Sequence, residues 1–188
     1  MAEYAGPAWV ARFPGSDRIA DCVDPFKTNL AKFVLALKNG GSDVRIVATF
    51  RPPERAYLMH YACWIKGFRD KQGIFQQAEP ATIPPMTGVD IDWTCGGNFA
   101  RAKAFASQMV SGYGIVYPAA LNSRHTQGRA VDMHITVPAG ATISDAAGHA
   151  FIIAGGADGT DSRIVAIGKT FGVIKLASDP PHWSDDGH

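Results

Sequence analysis

The sequence predicts an α+β fold in which an antiparallel sheet carries the chemistry and helices pack against it. Three observations point there. Ala130-Val-Asp-Met-His-Ile-Thr-Val137 alternates apolar and polar side chains with period two, as a half-buried strand does. Phe26, Leu30, Phe33, Val34 and Leu37 recur at helical spacing. The length of 188 residues suits one domain over 1–188, with an irregular arm over about 1–22 and a long variable loop over about 67–98.

The elements follow in order. Asp24-Pro25 supplies an N-cap and an N1 proline, and Asn39-Gly-Gly41 stops the first helix. Asp43 to Phe50 reads as a strand, and Pro52-Pro-Glu54 opens a helix reaching about Lys66. From Gly67 to Asn98, Pro80, Pro84, Pro85 and Gly88 argue against long regular elements, so this stretch is a candidate cleft wall or lid. Asp90 and Asp92 alternate with apolar neighbours, as on an edge strand. Phe99 to Ser111 reads as a helix, and Gly114 to Tyr117 as a short strand. Gly140 to Asp161 is rich in Gly and Ala. Asp158-Gly-Thr-Asp161 matches no EF-hand spacing, and Asp161 is read as the N-cap of a helix over 162–170. Phe171 to Leu176 reads as the last strand.

With 18 Lys and Arg against 17 Asp and Glu, the net charge is +1, and no basic footprint for nucleic acid appears. No apolar run approaches a membrane span. The opening Met-Ala-Glu-Tyr-Ala-Gly-Pro-Ala-Trp-Val lacks a basic and then apolar leader, which predicts a chain made in the cytoplasm without a signal peptide. Cys22, Cys63 and Cys95 form neither a disulfide framework nor a C-x-x-C clip and read as buried thiols. Nothing fixes the oligomeric state; a monomer is expected.

The chemistry concentrates in two segments. His125 sits in a polar loop, Asn122-Ser-Arg-His-Thr-Gln-Gly128, where Gly128 permits a tight reversal. The chain then enters the alternating strand, with Val131, Met133, Ile135 and Val137 on one face and Asp132, His134 and Thr136 on the other. Asp179-Pro-Pro-His182-Trp183 adds a second imidazole and a spare carboxylate, its two prolines stiffening the approach to His182. Two imidazoles, a carboxylate and a nearby base are the parts of a catalytic zinc site with one position left for water: His125, Asp132 and His182 as ligands, Asp179 as general base. For Asp179 the competing role is to start a proline turn.

At these residues the chain resembles the zinc D-alanyl-D-alanine carboxypeptidases of the VanY and VanX type, the phage endolysins that cut L-alanyl-D-glutamate bonds, and the hedgehog signalling domain. The family pattern S-x-H-x-x-G-x-A-x-D is complete as Ser123, His125, Gly128, Ala130 and Asp132. Its later E-x-x-H-W stands here as Asp179, His182 and Trp183, one methylene shorter at the base, as in some endolysin members. Val47-Ala-Thr-Phe-Arg51-Pro resembles the family's strand-then-Arg segment. The resemblance covers about 44–55, 122–137 and 171–183.

It implies a hedgehog-like fold, a Zn2+ cofactor held by His125, Asp132 and His182, and Asp179 as the base. It places Arg51 near the substrate, where a guanidinium suits developing negative charge; a surface Arg leading into a helix is the other reading. Ser123, His134 and Trp183 are further candidates for substrate contact, His134 otherwise being an exposed strand residue. The implied substrate is a peptidoglycan stem peptide, with internal cleavage favoured over removal of terminal D-Ala. A non-catalytic zinc-binding module is the remaining alternative. Action on the cell wall would then follow lysis or specialised export.

Overall fold

Strand Ala130–Val137 is the spine of the site-bearing part of the chain. Its alternation is read directly in burial: Val131, Met133, Ile135 and Val137 are buried, while His134 and Thr136 are exposed. The computed structural model describes residues 2–188, with helices α1 (Phe26–Asn39), α2 (Pro53–Lys66), α3 (Phe99–Tyr113) and α4 (Ser162–Thr170). Helices and sheets are mixed, as an α+β chain requires. The chain divides into two compact units: Gly15–Arg51 with Ser123–His188, and Met1–Pro14 with Pro52–Asn122.

In the first unit four strands run in the order Ile174–Lys175, His182–Ser184, Ala130–Val137, Asp43–Ala48, every neighbouring pair antiparallel. Ala157–Asp158 pairs with the far end of the spine. Two strand expectations are corrected. The strand expected over 171–176 shortens to Ile174–Lys175, because Gly172 takes φ 74 and the chain turns there. The segment carrying His182 is itself a strand and lies between that one and the spine. The strand from Asp43 ends at Ala48, with a register shift between Ile46 and Ala48 that sets Ala48 opposite Asp132. A hairpin, Ala141–Ser144 with Ala150–Ile153, forms within the Gly- and Ala-rich stretch, burying Ala141, Ile143 and Ile153.

Helix α1 buries its predicted stripe, Phe26, Leu30, Phe33, Val34 and Leu37. The Asp24 carboxylate accepts from the Thr28 amide at 3.2 Å and the Thr28 hydroxyl at 2.6 Å, meeting donors that the first turn leaves open. Helix α4 starts where expected, with Asp161 accepting from the Arg163 amide at 2.9 Å, and Asp158 accepts from the Thr160 amide and hydroxyl. The core between α1, α4 and the sheet includes Phe26, Phe33, Leu37, Met133, Ile164 and Trp183, all at most 1% exposed. Each such side chain stabilises the fold by about 1.5–3 kcal/mol.

The second unit is built on α2 and α3, whose buried side chains include Tyr57, Leu58, Ala62, Ile65, Ala106 and Met109. The expected irregular arm contributes a strand, Glu3–Tyr4, parallel to Ile91–Asp92. The stretch 67–98 carries a two-stranded hairpin, Phe68–Arg69 with Phe75–Gln76, and a 3-10 turn at Pro80–Thr82. Asp92 caps a turn, accepting from the Thr94 and Gly96 amides. The strand expected over 114–117 does not form: Gly114 takes the left-handed φ of 65° as the C-cap of α3, and the chain continues irregularly. Among the described residues no helix is long and apolar enough to cross a membrane.

Candidate metal centre

The centre lies wholly within the first unit, and strand register builds half of it. His182 and Asp132 are direct partners across two antiparallel strands. Opposite residues share a face, so both side chains project to the same side. His125 arrives from the loop before the spine. Gly128, at φ 68°, turns the chain there, and its amide donates to the His125 carbonyl at 3.2 Å. The Arg51 amide donates to that same carbonyl at 3.1 Å, tying the loop to the end of the Asp43–Ala48 segment.

Three donor atoms converge. His125 Nε2 is 3.2 Å from Asp132 Oδ1 and 3.2 Å from His182 Nδ1, and His182 Nδ1 is 3.1 Å from Asp132 Oδ1. Both imidazoles are buried and Asp132 is half-buried. Ligands around a tetrahedral ion with bonds of about 2.0 Å stand about 3.3 Å apart, so the triangle has the right size for one face of such a site.

The outer nitrogens fix the tautomers. His125 Nδ1 lies 2.6 Å from the Thr49 carbonyl, which can only accept, so Nδ1 carries the proton and Nε2 presents a lone pair. His182 Nε2 lies 3.2 Å from the backbone oxygen of His188, which leaves Nδ1 as the inward lone pair. With both rings neutral, three lone pairs point at one place, an arrangement that calls for a cation. His125, Asp132 and His182 can therefore hold a metal ion.

When no cation is held, an inward nitrogen can instead carry a proton and donate to Asp132 Oδ1. Burial pushes Asp132 toward the neutral acid, but hydrogen bonds from both imidazoles outweigh it and hold the carboxyl well below the usual range. For His182, burial opposes charge, yet the Asp132 carboxylate raises the imidazole above its ordinary value. The site prefers a positive charge at its centre, whether proton or metal.

The other predicted site residues fall into distinct places. Asp179 is exposed at the turn before His182; its amide donates to the Leu176 carbonyl and its carbonyl accepts from the His182 amide. Its carboxylate is not one of the three converging atoms. Arg51 is half-buried and ends the Gly15–Arg51 segment of the unit. Ser123 organises the loop: its hydroxyl accepts from the Thr126 amide, and Thr126 Oγ1 bonds both its amide and its carbonyl. His134 projects from the same strand face as Asp132, exposed, along a groove lined also by Thr136, Asp158, Thr160, Pro180 and Pro181.

Trp183 is corrected from a substrate contact to a core residue. It is 0% exposed and packs on Phe33 with ring centroids 5.4 Å apart. The cause is strand parity: a strand that turns His182 toward the centre must turn its neighbour to the opposite face. The three cysteines are free and buried as expected, and burial pushes the Cys22 thiol up to about 11, far from a reactive thiolate.

Two functional residues have no motif signal. Thr49 is wholly buried, and its hydroxyl lies 3.0 Å from the carbonyls of Ser16 and Arg18, which fixes the peptide whose oxygen orients His125. Lys175 donates from Nζ to three backbone carbonyls around the His182 turn. A lone Lys inside the apolar run Phe171-Gly-Val-Ile-Lys-Leu176 was the available sign. No protein-family model matches the chain, and neither a curated protein nor a solved structure matches it.

Proposed function

We propose that the chain is a zinc-dependent peptidase of peptidoglycan stem peptides, with a hedgehog-like arrangement of the site-bearing sheet. The observation that carries this reading is the convergence of His125 Nε2, Asp132 Oδ1 and His182 Nδ1 as three inward lone pairs. Two imidazoles and one carboxylate make a borderline donor set suited to zinc, and three protein ligands leave a fourth position open. Zinc held there would supply Lewis acidity, polarising a carbonyl and bringing the pKa of water to about 7.

The chain's own residues supply the rest. Thr49 and the backbone of His188 hold the imidazoles in their ligand tautomers. The Asp179 carboxylate takes a proton from the attacking water and returns it to the leaving amine. The Arg51 guanidinium, its backbone anchored to the His125 loop, stabilises the oxyanion that develops on the scissile carbonyl. The substrate class rests on the resemblance of the Ser123–Asp132 and Asp179–Trp183 motifs, and Asp at position 179 favours internal cleavage over removal of terminal D-Ala.

The test is digestion of purified peptidoglycan by zinc-loaded and chelated protein, with products identified by mass spectrometry. New amino termini within the stem peptide, produced only with metal, are expected. Free D-alanine as the sole product would assign a carboxypeptidase instead. Zinc binding without any product would assign a non-catalytic metal module.

A further inference from the structure

We infer that Lys175 is the positioning residue of the centre, a staple that sets where both His182 and Asp179 stand. Its ammonium donates to the Leu176 carbonyl at 2.7 Å, the Asp179 carbonyl at 2.6 Å and the His182 carbonyl at 3.1 Å. An ammonium has three donors, and all three are used. The carbonyls belong to the two ends and the middle of one loop, so a single side chain closes residues 176–182 around itself. The stem lies with Nζ 5.6 Å from the centre of the buried Trp183 ring, which gives the cation a fixed platform.

The loop needs such a device. Pro180 and Pro181 have no amide hydrogen, so the loop offers few donors for its own carbonyls. The Leu176 and Asp179 amides are used within the turn, donating to the His182 and Leu176 carbonyls. Each of the Leu176, Asp179 and His182 carbonyls takes one backbone amide, and the Lys175 ammonium fills the second acceptor position of all three. It sits on the strand adjacent to His182–Ser184, as the register partner of Trp183. Strand pairing thus aims the ammonium at the loop that follows it. Charge-assisted bonds to carbonyls are stronger than neutral ones, and partial burial strengthens them further. Burial also lowers the affinity of Lys175 for its proton, opposed by Asp179 and Asp132, so the charge sits where the fold bears a cost for it.

A surface lysine would give none of this. Removing the ammonium leaves three carbonyls without their shared donor and frees the Asp179–His182 turn to open. His182 Nδ1 would then lose its fixed place beside Asp132 Oδ1. The effect on metal affinity stands on the ligand geometry alone; the effect on turnover rests on the proposed peptidase reading.

The experiment compares zinc affinity of the full chain as wild type, Lys175→Met and Lys175→Arg, by competition with a chromophoric chelator. Partners that orient metal ligands typically contribute about 10–100-fold in affinity, and a loss in that range is expected for Lys175→Met. Lys175→Arg keeps the charge, but its planar fork cannot serve three carbonyls grouped about one point, so an intermediate loss is expected. Asp161→Ala, which removes the cap of α4, serves as the control: it lowers Tm and leaves zinc affinity unchanged. If Lys175→Met does not fold, Lys175→Arg decides alone.

Wild-type affinity in a folded Lys175→Met, or in Lys175→Arg where that variant stands alone, overturns the inference. So does an equal loss in the Asp161→Ala control. Wild-type protein that binds zinc but turns over no peptide defeats the peptidase reading and leaves the staple standing. Wild-type turnover with an unaffected Lys175→Met does the reverse.

Discussion

His182 stands directly across from Asp132 in antiparallel register, and its Nδ1 lies 3.1 Å from Asp132 Oδ1. Strand pairing thus sets which face His182 and Asp132 share, and the 176–182 loop held by Lys175 sets the final place of the His182 ring, so two of the three atoms that could hold a metal ion stand together. Sites built on paired strands hold their geometry better than sites built on loops alone. Replacing a ligand should therefore leave the fold intact and abolish binding. His182→Ala and His125→Ala are each expected to lower zinc affinity by more than about 100-fold, beyond the range typical of outer contacts, with secondary structure unchanged by circular dichroism. Zinc retained at wild-type affinity in either variant would remove that residue from the centre.

Metal and proton compete for the same place, which gives the stability a defined pH dependence. In metal-free protein the lowered Asp132 pKa contributes stability above the unfolded carboxyl value of about 3.9, lost as pH falls through the folded value. The raised His182 pKa contributes stability below the unfolded imidazole value of about 6.5, lost as pH rises through the folded value. The metal-free pair therefore stabilises most between about pH 4 and 6.5. Zinc requires deprotonated rings, so its gain in Tm should grow as pH rises through that upper limit and vanish toward acid. Paired melting curves with zinc and with chelator, across pH 4 to 9, check this; a zinc effect independent of pH would contradict it.

Asp179 carries the proposed proton transfer without binding metal. Asp179→Asn should reduce peptide turnover by about 10²–10⁴-fold while zinc stoichiometry stays the same. Turnover within a few-fold of wild type would assign the base elsewhere. The backbone bonds of Asp179 to Leu176, His182 and Lys175 do not involve the carboxylate, so the variant tests chemistry rather than folding.

The burial of Trp183 makes Gly168 indispensable. A methyl group at Gly168 would sit 2.7 Å from Trp183 Cζ3, 3.0 Å from the Val173 carbonyl oxygen and 3.1 Å from Phe33 Cζ. In an open helix Gly→Ala gains up to about 1 kcal/mol. Here overpacking costs about 1–3 kcal/mol, and a backbone carbonyl cannot swing aside, so the clash wins. Gly168→Ala should lower the free energy of unfolding in urea; a stabilised variant would contradict the packing described.

Much of the first unit was legible because its signals are local and periodic. The alternation over Ala130–Val137 placed Asp132 on the polar face and Asp161 marked the start of α4, while α1 starts one residue later than read, with Pro25 at the cap position and Asp24 just outside it accepting from Thr28. The same parity rule, carried to His182–Ser184, would have put Trp183 in the core. The segment escaped recognition as a strand because it is three residues long and follows two prolines. The bulge after Ile46 and the role of Thr49 were not legible, and the only sign of Lys175 was a charge inside an apolar run. They depend on pairings and carbonyl contacts that leave no periodicity behind. In the second unit, Glu3–Tyr4 pairs with a strand far along the chain, and two residues are too few to carry a pattern.

His125, Asp132 and His182 are placed to gather one divalent cation and leave room for solvent. Zinc-edge X-ray absorption of the protein loaded with one equivalent of zinc tests it most directly. Four nitrogen or oxygen neighbours at about 2.0–2.2 Å are expected, with the outer-shell scattering of two imidazoles and no sulfur. Sulfur at about 2.3 Å, from Cys22, Cys63 or Cys95, or failure to bind zinc at all, would contradict it.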